Sequence, residues 1–130
     1  MNRRATMYTI HEVAEICDLS AHTLRFYDKE GLLPFVGRNK SGNRVFTEQN
    51  LEMVKLICCL KNTGMPIKEI KSYMDMFMEG PGTMETRKEM MIAHGKEVQR
   101  QIAELKKNLN IINLKVAFYD SNKDGSPASH

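Results

Sequence analysis

Apolar residues recur along this chain at helical spacing, in short stretches divided by polar turns. Ile10, Val13, Ala14 and Cys17 fall on one side of a short helix. Thr9 opens it, because a threonine followed three residues later by Glu12 lets each side chain satisfy the other's unpaired amide. Asp18 and Leu19 form the break. Ser20 opens a second helix by accepting a hydrogen bond from a first-turn amide. Leu24, Tyr27 and the following Leu32 anchor that helix to a core and leave His22, Thr23 and Arg25 facing outward. Two short helices across a tight turn predict a helix-turn-helix.

Thr47 caps a third helix carrying Leu51, Met53, Val54, Leu56, Ile57, Cys58 and Leu60. Apolar residues over most of its circumference predict a central, largely buried helix. Gly64 ends it, and Pro66 suits the first turn of a fourth helix whose packed face is Ile67, Ile70, Met74 and Phe77. Glu79-Gly80-Pro81-Gly82 then stops helical structure. Beyond it Met84, Met91, Val98, Leu105, Ile112 and Tyr119 recur every seven residues, interleaved with Ile102, Leu109 and Val116, while Lys88 and Gly95 interrupt the second series. About 35 helical residues extend on the order of 50 Å, too long a stripe to bury on a small domain of the same chain. A second copy of the chain is the expected partner, with Met91, Val98, Ile102, Leu105, Leu109, Ile112 and Val116 at the seam. A helix folding back on its own domain is the alternative. The pattern predicts a mainly α protein: a DNA-binding unit over residues 1–78, a linker over 79–83, a dimerisation helix over 84–120 forming an antiparallel coiled coil, and a disordered polar tail over 121–130.

Charge sharpens the picture. The 130 residues allow one small domain plus an extension, which excludes a large separate ligand-binding domain, and carry a net charge of +3. Residues 20–44 hold Arg25, Lys29, Arg38, Lys40 and Arg44 against Asp28 and Glu30, so the excess lies there and the remainder balances. A basic surface confined to one helix and the glycine turn after it favours phosphate binding at a defined face over a merely solvated one. In a helix-turn-helix the second helix enters the major groove and the first crosses the phosphates. No apolar run reaches membrane-spanning length and no signal peptide is visible, so a cytoplasmic protein without membrane contact is expected.

The run Thr23-Leu24-Arg25-Phe26-Tyr27-Asp28, then Gly31-Leu32-Leu33-Pro34, then Arg38, Gly42 and Arg44, and finally Gly64-Met65-Pro66-Ile67-Lys68-Glu69-Ile70, closely resembles the MerR family of bacterial transcription regulators. The resemblance covers residues 7–77 as a winged helix-turn-helix and implies a homodimer joined by one long helix. It implies that promoter DNA is bound and distorted so that RNA polymerase can use an over-long spacer. Arg25 is expected at a base or phosphate in the major groove, with His22 and Thr23 beside it. Adjacent helical residues point about 100° apart, so one of Phe26 and Tyr27 faces the DNA. The resemblance favours the Tyr27 hydroxyl on a phosphate, and packing of Tyr27 under the wing is the alternative. Arg38, Lys40, Asn43 and Arg44 form the wing set, whose backbone contacts set register and salt dependence.

Chemistry elsewhere is sparse. The histidines lie on different elements, no ligand spacing suggests a metal, and neither a nucleophilic triad nor a phosphate cradle appears, so no enzyme and no cofactor are expected. Cys17, Cys58 and Cys59 read as thiols, not as a disulfide framework. Cys58 continues the apolar stripe of Leu51 and Val54, whereas Cys59 lies on a mixed face one turn after Lys55, whose charge favours a reactive thiolate. Residues 59–64 and 82–88 resemble the aldehyde- and electrophile-responsive branch of the MerR family, which implies Cys59 as the sensing residue. A small apolar effector held by the methionine-rich stretch, without cysteine sensing, is the competing reading of the signal, and an architectural DNA-binding factor is the competing reading of the fold.

Overall fold

The computed structural model describes residues 7–122. Thr9 ends strand β1 (Met7–Thr9) and caps helix α1 (Ile10–Ile16), with the reciprocal Thr9–Glu12 bonds both formed. After a turn in which Asp18 takes a left-handed φ of 55°, Ser20 caps helix α2 (Ala21–Lys29). Strands β2 (Gly37–Arg38) and β3 (Arg44–Thr47) form the wing, and β1 joins them in an antiparallel sheet of order β1-β3-β2. Phe46 faces Tyr8 in that register and is fully buried. Strands this short have no alternation to read, so the sequence pattern did not predict β1.

Thr47 closes β3 and caps helix α3 (Glu48–Asn62) through a second reciprocal pair, this time with Asn50. The Tyr8 hydroxyl donates to Glu48 Oε1 at 2.7 Å and ties β1 to the start of α3. Helix α3 is central as expected: Leu51, Val54, Ile57 and Leu60 are buried, and Met53, Leu56 and Cys58 are half-buried against the same core. Helix α4 is Ile67–Glu79. Pro66 stands one position earlier than expected, as the cap itself, and its carbonyl accepts from the Glu69 and Ile70 amides at 3.0 Å each.

The core gathers Val13, Leu24, Leu32, Leu33, Phe46, Val54, Ile57, Ile70 and Met74, each worth about 1.5–3 kcal/mol on burial. Phe77, expected on the packed face of α4, is exposed, and the Arg87 guanidinium lies 5.5 Å from its ring centre. A single 3-10 turn (Pro81–Thr83) connects α4 to helix α5 (Met84–Ser121). There the Thr83 hydroxyl sits 2.6 Å from the Met76 carbonyl and accepts from Arg87 Nε at 2.9 Å.

The chain divides into two compact units, Met1–Met91 and Ile92–His130. Met91 packs against the core of the first. In the second, Ile102, Leu105, Leu109, Ile112, Val116 and Tyr119 are exposed and Val98 is half-buried. Helix α5 runs one residue past its expected end, to Ser121, and the Asn122 side chain follows it by donating to the Phe118 carbonyl at 2.9 Å. The rest of the stretch expected to be disordered, residues 123–130, lies outside the described residues.

Candidate nucleic-acid interface

The interface is built from the capped start of α2 and the hairpin of β2 and β3. Ser20 Oγ accepts the Thr23 amide at 3.0 Å and lies 2.9 Å from the Thr23 hydroxyl. Thr23 is therefore half-buried inside the cap, while His22 and Arg25 stand exposed. Phe26 and Lys29 continue the same face at helical spacing, with Phe26 44% exposed and Lys29 open to solvent. Arg25 makes no hydrogen bond or ion pair among the described residues.

The aromatic on the outside is Phe26, and Tyr27 is only 5% exposed. The side-chain geometry thus supplies the packing that was the alternative for Tyr27. No polar side-chain atom among the described residues is buried without a partner. Burial first, and the nearby Cys58 second, push the Tyr27 hydroxyl above the usual phenol range, so it stays a donor.

The wing turn is folded by its own side chains. Asn39 Oδ1 accepts the Ser41 and Asn43 amides at 3.0 Å each, its backbone amide donates to the Asn43 carbonyl at 2.9 Å, and Gly42 takes a φ of 82° that a side chain would strain. Arg38 donates to the Gly42 carbonyl at 2.7 Å. Lys40 and Asn43 are exposed at the tip.

Arg44 differs from the other wing cations. Its guanidinium forks onto Asp28 of α2, Nε to Oδ2 at 3.0 Å and Nη2 to Oδ1 at 2.6 Å, and its remaining arm donates to the Val36 carbonyl. Both side chains are about four-fifths buried. The structure places Arg44 as a brace between wing and recognition helix, with its donors turned inward. The basic excess survives this, because the brace removes one charge of each sign and leaves Arg25, Lys29, Arg38 and Lys40 against Glu30. Residues 7–11 of β1 and the start of α1, Arg25 and Asp28 of α2, and wing residues including Arg38, Asn43 and Arg44 line a concavity of about 590 Å³, which His22, Thr23, Phe26, Tyr27, Lys29 and Lys40 do not line. Lys29 was counted in the basic surface but not among the contact residues, and Asn39 and the role of Asp28 were not identified from the sequence. Spacing from Arg25 identifies Lys29, and an asparagine before Lys-Ser-Gly signals the turn.

The thiols separate as helix geometry predicts. Cys59 is exposed; Cys17 and Cys58 are half-buried neighbours. Burial, followed by the adjacent Cys17, pushes the Cys58 thiol up to about 11. Lys55, expected beside Cys59, is held by Glu52 Oε1 at 3.1 Å. Among the described residues no cluster of His, Cys, Asp and Glu could hold a metal, and no helix is long and apolar enough to cross a membrane.

Comparison with known proteins agrees with this geometry. Residues 8–76 match the family described as MerR HTH family regulatory protein, and residues 51–112 match that described as MerR, DNA binding. An uncharacterized HTH-type transcriptional regulator of Haemophilus influenzae is 48% identical over 116 residues, covering 89% of this chain and 86% of its own. The HTH-type transcriptional regulator AdhR of Bacillus subtilis is 38% identical over 82 residues, 63% of this chain and 59% of its own. Among solved structures, HiNmlR, a MerR family regulator lacking the sensor domain and bound to promoter DNA, superposes with a TM-score of 0.85 at 47% identity, covering 92% of this chain and 95% of its own. A helix-turn-helix with a small wing sheet, followed by a long helix and matched over most of its length by such relatives, makes this chain a member of the MerR family of DNA-binding transcription regulators and not an enzyme.

Proposed function

We propose that two copies of this chain bind a two-fold promoter operator and distort it, activating transcription by RNA polymerase when switched on. The observation that carries the reading is the Asp28–Arg44 brace, which ties the wing to α2 while Arg25 on the helix and Lys40 and Asn43 on the wing stay exposed. In that arrangement Arg25 reaches bases in the major groove while Arg38, Lys40 and Asn43 take the backbone. His22 and Phe26 lie on the same outward face, and the Tyr27 hydroxyl donates to a phosphate. Thr23 supports this face through the cap, and Arg44 through the brace. Residues 1–78 act as the DNA-binding unit, 79–83 as the linker and 84–120 as an antiparallel dimer helix. Two rigidly separated recognition helices impose a bend or untwisting, and part of the sequence preference comes from how readily the operator deforms. The similarity to HiNmlR, whose structure holds promoter DNA, supports this arrangement.

The proposed signal is an aldehyde, another electrophile or an oxidant acting at Cys59. Cys59 is the exposed thiol on α3, and AdhR is among the relatives. In vitro transcription from the bound promoter, with and without small aldehydes and peroxide, tests both parts. Activation with a distorted footprint is expected, and straight DNA in the activated complex overturns the distortion. Cys59→Ser is expected to abolish the response while preserving binding; a full response in that variant removes Cys59 from sensing.

A further inference from the structure

Gly95 stands in the interior of α5, three turns from its start, without a reason inside its own chain. A glycine in a helix interior is about 1 kcal/mol less favourable than alanine. The backbone does not require it, since Gly95 is not among the glycines of positive φ, and a Cβ built there meets no atom within 4 Å. It also breaks the apolar series that Ile102, Leu109 and Val116 continue, and Lys88 breaks the same series one heptad earlier. A glycine that neither backbone nor local packing demands is accounted for by the close approach of another surface.

We propose that Gly95 receives the Ile112 side chain of a second copy and that this contact sets the register of an antiparallel α5 pair. The inference rests on the dimer reading above and deepens it. Two conditions select the register. Reversing one helix makes each member of the series Met91, Val98, Leu105, Ile112, Tyr119 face a member of the other series, and the buried seam is longest when the helices overlap almost end to end. Pairing Leu105 with the partner's Ile102 meets both conditions. It brings Val98 to the partner's Leu109, Met91 to the partner's Val116, Ile112 to the partner's Gly95 and Tyr119 to the partner's Lys88, and leaves only Met84, in the first turn, past the end of the partner's α5.

Sliding by one heptad in one direction seats Met84 across from the partner's Val116 but leaves Tyr119 across from Pro81, before α5 begins, and shortens the overlap from residues 86–121 to residues 84–116. Sliding in the other leaves Met91 across from residue 123, past its end. In the selected register both interruptions gain a purpose. Ile112, 57% exposed in the protomer, enters the gap left by the missing side chain, and the Tyr119 ring lies along the apolar stem of Lys88, whose ammonium reaches solvent. Large against absent is the complementarity that fills a seam without strain, and two-fold symmetry repeats it at both ends.

Cysteine cross-linking of the full chain in a Cys59→Ser background tests the register, with that parent run alongside. Under diamide, Gly95→Cys/Ile112→Cys is expected to run as a covalent dimer on a non-reducing gel. Neither single variant should, nor should Gly95→Cys/Leu105→Cys, which reports the slipped register. Linkage through Gly95→Cys alone or through the 95/105 pair overturns the proposal. So does a 95/112 variant that sediments as a dimer without linking. As a second readout, Gly95→Leu should weaken dimerisation roughly tenfold by overpacking, and adding Ile112→Ala should recover most of it. Purely additive effects overturn the contact. A parent chain that sediments as a monomer instead sinks the dimer reading itself, which the same sedimentation run distinguishes.

Discussion

Arg44 shows how much one side chain decides in this molecule. A lysine there would keep the charge but could not fork onto Asp28 while also reaching the Val36 carbonyl. Arg44→Lys is therefore expected to lower stability by about 1–3 kcal/mol in urea titrations and to weaken operator binding without changing its salt dependence. Unchanged stability with a reduced salt slope would return Arg44 to the phosphates. Arg25 presents the opposite case, exposed and unpaired among the described residues. Arg25→Ala should reduce affinity for the specific operator by about 1–3 kcal/mol in mobility-shift titrations and leave non-specific binding little changed. An equal loss on both DNAs assigns Arg25 to the backbone. Neither distinction was legible beforehand: both arginines follow the same basic pattern, and only the partner sixteen positions away, in another element, separates them.

Among the elements, the helices were readable because their signals are local. The Thr9, Ser20 and Thr47 caps each act within three residues, and each forms as the spacing predicts. The wing was readable only as a glycine turn, since its strands are too short to show a period and its fold depends on Asn39 bonding across the turn. At its tip, Lys40 is exposed and far from the brace's constraints. Lys40→Gln should reduce the slope of log affinity against log salt by about one per bound protomer, with sequence preference intact. A loss of preference would show that Lys40 reads bases. The connection between α4 and α5 carries a further local device, in which Arg87 bonds Thr83 and Gly80 and covers Phe77. That cover shields one side of a Phe77 ring that is otherwise open to solvent.

For the whole molecule, the exposed residues Ile102, Leu105, Leu109 and Ile112 form a stripe that nothing in the second unit buries. If two copies meet there, a charge in the middle of the seam has no partner and loses its hydration. Leu109→Glu should raise the dimer dissociation constant by about a hundredfold or more and abolish high-affinity binding to a two-fold operator, while circular dichroism still reports helix. Sedimentation and mobility shift check it, and a dimeric Leu109→Glu protein that binds normally would place the seam elsewhere.

The residues by themselves determined the helices, their caps, the glycine stops, the local positive charge and the heptad stripe, because each of these is written in neighbours a few positions apart. They also carried the family resemblance. Only the tertiary structure decided which of Phe26 and Tyr27 faces outward, that Arg44 is spent on Asp28, and that Phe46 fills the core. Each of those outcomes depends on what a distant segment places beside the residue, and side-chain periodicity records the direction a residue points without recording what it meets there.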